Sequence, residues 1–168
     1  FKKASLAVLT DERNAAHFGP DETRAIARHI PWTRVIEERK TTIEGTSIDL
    51  VPWAIANRDR LVLKPNDDYG GKGVVLGWTV TEAEWDQAVQ TALAEPYVVQ
   101  ERINIPSEIF PNWHDGQVHF ISRMLDTNPY VCHGEYVDGC LTRISTAALL
   151  NVTAGTGSTV PTLLVEPR

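Results

Sequence analysis

The sequence predicts an α+β fold of antiparallel β-rich lobes with flanking helices. Short apolar runs, Leu61-Val62-Leu63 and Val74-Val75-Leu76, bracket a glycine-rich loop and read as buried strands. Trp85, Ala88, Val89, Ala92 and Leu93 recur at helical spacing behind a capping signal. The last third holds β-rich runs at 117–125, 130–137 and 140–145, punctuated by turn dipeptides.

Taken in order, the first third reads as helical segments separated by breakers. Gly19-Pro20-Asp21-Glu22 opens a stretch in which Ala25, Ile26, His29 and Ile30 fall at helical spacing, with acids where the helix dipole favours them. Pro31 ends it. Residues 37–47 read as a polar, exposed connection, after which Ser47 is expected to cap a short helix through Ala56, made irregular by Pro52. A strand then runs into Lys64-Pro65, and a loop follows over Asp67–Gly73. Thr81-Glu82-Ala83-Glu84 matches a capping box, Pro96 stops its helix, and Tyr97–Glu101 is again strand-like. Asn128-Pro129 and Asp138-Gly139 are the expected turns of antiparallel hairpins. A second glycine loop spans 154–159 before an apolar run ending at Val165. These signals divide the chain at 1–59, 60–104 and 105–168.

Composition bounds the function. The chain has 168 residues, a formal net charge of −6, 42% hydrophobic and 23% charged residues, an ordinary globular balance. No apolar run reaches the ~18 residues of a membrane span. The acidic balance argues against nucleic acid as a partner, because phosphate neutralisation needs clustered Lys and Arg. Two cysteines, Cys132 and Cys140, do not make a disulfide framework, so a reducing, cytoplasmic setting is expected; across a hairpin they would face each other as buried thiols. The chain opens at Phe1 with no charged-then-apolar leader, which suggests a piece of a longer chain. Such a piece would expose apolar surface and could self-associate. The tryptophans, at 32, 53, 78, 85 and 113, are expected mostly in the core or against sheets.

The strongest chemical constellation is Lys64 on a strand end followed by Gly70, Gly71, Lys72 and Gly73. Glycines bring backbone N–H groups close to a ligand and suit a phosphate, beside which Lys64 or Lys72 would supply positive charge. A glycine-rich hairpin with a lysine on its rim is the competing reading. The P-loop is excluded because Lys72 is followed by Gly73, and GxGxxG is missing.

The stretches Pro31-Trp32-Thr33-Arg34, Leu61 through Gly73 (LVLKPNDDYGGKG) and Val98 through Ile103 resemble the ATP-grasp superfamily. So do Asp126 with Pro129, Gly139 through Arg143, Asn151 and the loop at 155–159. The similarity is greatest to the circularly permuted ATP-grasp proteins, an amide-ligase-like group distantly related to glutathionylspermidine synthetase. The resemblance implies an ATP-binding portion of a ligase that activates a carboxylate as an acyl-phosphate for attack by an amine. It implies Lys64 at the ATP phosphate and adenine edge, with Gly70, Gly71 and Gly73 as the closing loop. Gln100, Glu101 and Ile103 become the hinge that holds adenine or ribose. Arg143 becomes the group that stabilises the transferred phosphoryl, and Asn151 a substrate-orienting residue. Arg143 reads equally as half of a sheet-surface ion pair, and Asn151 as a turn cap.

ATP-grasp chemistry also needs Mg²⁺ on hard oxygen ligands. In the permuted group these lie upstream of the lysine and glycine loop, in a region this sequence does not display. Asp126 and Glu135 are candidate carboxylates or hairpin-surface residues. Cys140 stands where a glycine is usual, and the 155–157 segment lacks an unbroken glycine triplet. The alternative reading is therefore a non-catalytic nucleotide-binding or assembly module. His114 and His119 beside Asp115 tempt a metal reading, but alternation along one strand puts them on opposite faces. Asn151-Val152-Thr153 is a sequon by letters alone, and Ser5, Ser107 and Ser145 lack nucleophile-elbow partners.

Overall fold

A computed structural model describes residues 2–147, 157–163 and 165. The chain divides into two units, Phe1–Ile103 and Asn104–Arg168. It is mixed α and β with antiparallel sheets, as the sequence predicts.

The first unit opens with α1 (Ala4–Thr10) and α2 (Pro20–His29), then β1 (Thr33–Val35). Pro20 sits in the first turn of α2, where its missing N–H costs nothing, and the Glu22 carboxylate accepts from the Gly19 N–H at 2.7 Å. A hairpin of β2 (Lys40–Ile43) and β3 (Thr46–Asp49) occupies the stretch read as an exposed connection. Its turn is Glu44-Gly45, both at positive φ, the conformation a two-residue hairpin turn demands. Its strands, KTTI and TSID, are rich in threonine and carry little apolar alternation, so their pattern does not mark them as strands. Consequently α3 (Leu50–Ala56) starts after Asp49, not Ser47, and Pro52 falls in its first turn, where it breaks no intrahelical hydrogen bond.

Next come β4 (Leu61–Pro65), β5 (Val75–Leu76), α4 (Glu82–Ala94) and β6 (Tyr97–Glu101). Thr81 and Glu84 form the expected capping box on α4. The main sheet has the order β1-β6-β4-β5, antiparallel throughout. Leu61, Leu63 and Val99 project from one face into a core with Leu50, Val51 and Ala54 of α3 and Trp85, Val89 and Ala92 of α4. The Trp85 indole N–H donates to the Ala54 carbonyl at 3.0 Å, so the buried ring leaves no polar atom unpaired. The turn before α4 packs as closely: a Cβ on Gly77 would lie 2.0 Å from the Arg58 carbonyl oxygen.

The second unit is one sheet in the order β10-β9-β8-β7, with β7 spanning Ser107–His114, β8 Gln117–Cys132, β9 Tyr136–Ser145 and β10 Gly157–Val160. Its turns are not where the dipeptides suggested. Strand β8 runs straight through Asn128-Pro129, and the reversals fall at Asp115-Gly116 and His133-Gly134, all at positive φ. Pro129 is tolerated because β8 has outrun β7 there, so it pairs on one side only, with β9. Asp138 is the extra residue of a β-bulge, since Tyr130 faces Gly139 while Val131 faces Val137. Cys140 lies opposite Pro129, and Cys132 opposite Tyr136; the thiols are free, half-buried and do not face each other. His114 and His119 sit on opposite arms of the β7–β8 hairpin and share a face, because the chain turns between them. Trp113 is 72% exposed, against the expectation for tryptophan.

Candidate functional site

The sheet of the first unit has a second face, opposite the core. Register places Thr33 beside Gln100 and Gln100 beside Val62, with Lys64 one pleat further along β4. Three adjacent strands therefore present Thr33, Gln100 and Lys64 in a row. The Lys64 ammonium donates to Gln100 Oε1 at 2.6 Å, and Gln100 Nε2 donates to Thr33 Oγ1 at 2.8 Å. Thr33 and Gln100 are buried, Lys64 half-buried. Among the described residues no carboxylate pairs with Lys64. Burial pushes its ammonium below the ordinary lysine range, and the nearby Lys3 charge adds to that.

The glycine loop follows directly. Gly70, Gly71 and Gly73 all have positive φ, which side-chain-bearing residues adopt at a cost. A Cβ on Gly73 would sit 2.9 Å from the Tyr97 hydroxyl and 3.1 Å from Pro65, so the loop is drawn against the sheet there. Near the chain start, Lys3 Nζ donates to the Asp68 carbonyl at 2.9 Å, and the Ala4 N–H donates to Asn66 Oδ1 at 2.8 Å, pinning the loop's first half. Lys72 is exposed, its Nζ 4.0 Å from Asp68. Glu101 is engaged by Arg60 at 3.1 Å, and Ile103 is exposed at the end of the unit.

In the second unit Arg143 lies directly across from Asp126, whose carboxylate accepts from its guanidinium, Nε at 3.0 Å and Nη2 closer still. Asn151, Gly155 and Thr156 lie outside the described residues. Among the described residues no group of three or more His, Cys, Asp or Glu is gathered as a metal site. No helix among them is long and apolar enough to cross a membrane.

Sequence reasoning missed a buried ionic cluster on the same unit. Arg34 is 2% exposed and donates to Glu12 at 2.7 Å, to Thr41 Oγ1 at 2.7 Å and to the Thr10 and Thr33 carbonyls, each at 2.8 Å. Arg39 bridges Asp11 at 2.5 Å and Glu12 at 2.7 Å. Burial alone would raise the Asp11 carboxyl, but hydrogen bonds from Arg39 and Arg13 outweigh it and hold it below the usual carboxylate range. The signal was present as Asp11-Glu12 and Arg34, but nothing in their spacing says that they meet. A cavity of about 310 Å³, lined by Leu9, Phe18, Ile26, Ile30 and Trp32 with Asp11 and Glu12 on its wall, opens beside this cluster. None of the predicted site residues lines it.

Comparison with known proteins agrees with a ligase relationship at a coarse level. The chain is 31% identical over 106 residues, 60% of its length, to "Putative glutamate--cysteine ligase 2-2" of Frankia casuarinae. It is 31% identical over 108 residues, 61% of its length, to "Putative glutamate--cysteine ligase 2-3" of Frankia alni. The matched segment spans about 12% of either relative. No family model matches the chain.

Proposed function

We propose that this chain is the ATP-binding portion of an ATP-grasp ligase of the circularly permuted group. The whole protein would use ATP to activate a carboxylate as an acyl-phosphate, and an amine would displace the phosphate to give an amide or peptide bond. Similarity to proteins named as glutamate–cysteine ligases supports the reaction class. The observation that carries the reading is Lys64: an ammonium half-buried on a strand end, held by a neutral amide and adjoining a loop of left-handed glycines. A charge kept out of water without a counter-charge is costly, and an anionic phosphate would relieve that cost.

In this reading Lys64, Gly70, Gly71, Lys72 and Gly73 hold the phosphates, while Gln100, Glu101 and Ile103 border adenine or ribose. Arg143 and Asn151 are assigned by the resemblance alone. Among the described residues no group of three or more His, Cys, Asp or Glu is gathered for a Mg²⁺ ion; in this reading its ligands are those that the resemblance places upstream of the lysine and glycine loop. The second reading, a nucleotide-binding or assembly module without catalysis, is favoured by Arg143, whose guanidinium is already engaged by Asp126.

Calorimetric titration with ATP, with and without Mg²⁺, tests the proposal. Saturable binding is expected, and Lys64→Ala should weaken it about tenfold or more, the worth of one charge-assisted hydrogen bond. Equal affinity in both proteins removes Lys64 from the site. Binding should also decline as pH rises through the lowered Lys64 pKa, earlier than an ordinary lysine would allow.

A further inference from the structure

The row Thr33–Gln100–Lys64 has a fixed polarity. The Thr33 hydroxyl carries one proton, and it donates that proton to the Pro31 carbonyl at 2.8 Å. Toward Gln100 it can therefore only accept, which requires the amide NH₂ at that end, 2.8 Å away. The amide oxygen is then left for Lys64, at 2.6 Å. A reversed amide would set two donors against each other at the Lys64 end and two acceptors against each other at the Thr33 end of a buried chain. Backbone pairing fixes the three residues on neighbouring strands β1, β6 and β4, so the direction is written into the register of the sheet.

We propose, building on the ATP-binding reading, that Thr33 is a positioning residue for Lys64, acting through Gln100 to hold the amide oxygen on the ammonium. A neutral dipole keeps the side chain in place and leaves its full positive charge for an anionic ligand; a carboxylate in the same place would cancel it. Lys3, the residue before α1, adds a like charge that lowers the Lys64 pKa further, and its own Nζ donates to the Asp68 carbonyl at 2.9 Å. The acids on the adjoining loop are turned elsewhere, Asp67 to Lys2 and Asp68 toward Lys72. Lys64 thus sits beside like charge and beside a polarised amide, an arrangement suited to the oxygens of a phosphate.

The test uses the full chain and the variants Thr33→Val, Thr33→Ser and Gln100→Glu. Lys64 is titrated by the pH dependence of its acylation with acetic anhydride, read by peptide mass spectrometry, and ATP binding is measured in parallel. Thr33→Val removes the acceptor at constant shape and should lower the Lys64 pKa further by roughly half to one unit, the equivalent of one hydrogen bond. Thr33→Ser should restore the wild-type titration. Gln100→Glu should raise the Lys64 pKa by about one unit or more and weaken ATP binding about tenfold, because the new carboxylate neutralises the ammonium. A folded Thr33→Val protein with an unshifted Lys64, or a Thr33→Ser protein that behaves like Thr33→Val, overturns the proposal. Should Thr33→Val fail to fold, Gln100→Glu decides: no upward shift of Lys64 overturns it. Shifts in Lys64 with no ATP binding to any protein would uphold the relay and reject the ATP reading. ATP binding that depends on Lys64 but ignores Thr33 would do the reverse.

Discussion

Both units are built on antiparallel sheets, yet they bury their strands very differently. In Phe1–Ile103 the strand β4 is closed on both faces: Leu61 and Leu63 meet α3 and α4, and Val62 on the other face is only 5% exposed. In Asn104–Arg168 no helix is found among the described residues, and Ile144 is the one buried hydrophobic side chain among them. Ile109, Trp113, Val118 and Phe120 share one face of the β7–β8 hairpin and are all more than half exposed. Strand pairing and strand burial are thus separate achievements. Hydrogen bonding and turn geometry suffice for the first, whereas the second needs a covering element.

The two tryptophans on either side of this divide give the largest test. Trp85 is fully buried, and Trp85→Ala should cost about 3–5 kcal/mol by leaving a cavity in the α3–α4 core. Trp113→Ala, at a largely exposed site, should change stability by no more than about 0.5 kcal/mol. Urea denaturation followed by far-ultraviolet circular dichroism reads both. A Trp113→Ala loss as large as that of Trp85→Ala would break the comparison, because it would mean that this face is covered in solution.

The next effect is ionic and also confined to the first unit. Asp11, 5% exposed, is shared by Arg13 and Arg39, and Asp11→Asn should cost about 1.5–3 kcal/mol, the worth of charged hydrogen bonds. Its folded pKa is depressed, so its contribution is fully present above the ordinary aspartate value near 4 and is lost as pH falls below that. Wild-type stability should therefore drop in acid more steeply than that of the Asn variant. Parallel pH profiles would contradict the pairing.

These cases also mark how far the sequence could be read. Helix α4 was legible because its signal is local: Thr81 and Glu84 cap it, and the apolar spacing that follows is helical. Lys64 and the glycine loop were legible for the same reason, since they are contiguous. The β2–β3 hairpin was not, because its threonine-rich arms carry little apolar alternation. Asn128-Pro129 and Asp138-Gly139 misled because a dipeptide states what a turn tolerates, while an edge strand and a bulge tolerate it too. Thr33 stands in a legible motif, but its role does not show there, because it lies in pairing with Gln100, 67 residues away. The Asp11–Arg39 cluster escaped for the same reason of distance in sequence.

The smallest effect asks whether the two candidate cations differ as their surroundings suggest. Lys64 is held by an amide, whereas Arg143 is held by the Asp126 carboxylate directly across the β8–β9 ladder. The side chains of that pair are 32% and 29% exposed, so water screens part of their attraction. A double-mutant cycle of Arg143→Gln and Asp126→Asn should give a coupling of about 0.2–1 kcal/mol, the range of partly solvated pairs. The same cycle run on ATP affinity sharpens the contrast. If Asp126 competes with phosphate for the guanidinium, Asp126→Asn should tighten binding while Arg143→Gln weakens it. If neither changes affinity, Arg143 is a structural partner of the sheet, held by Asp126 and by nothing the ligand offers.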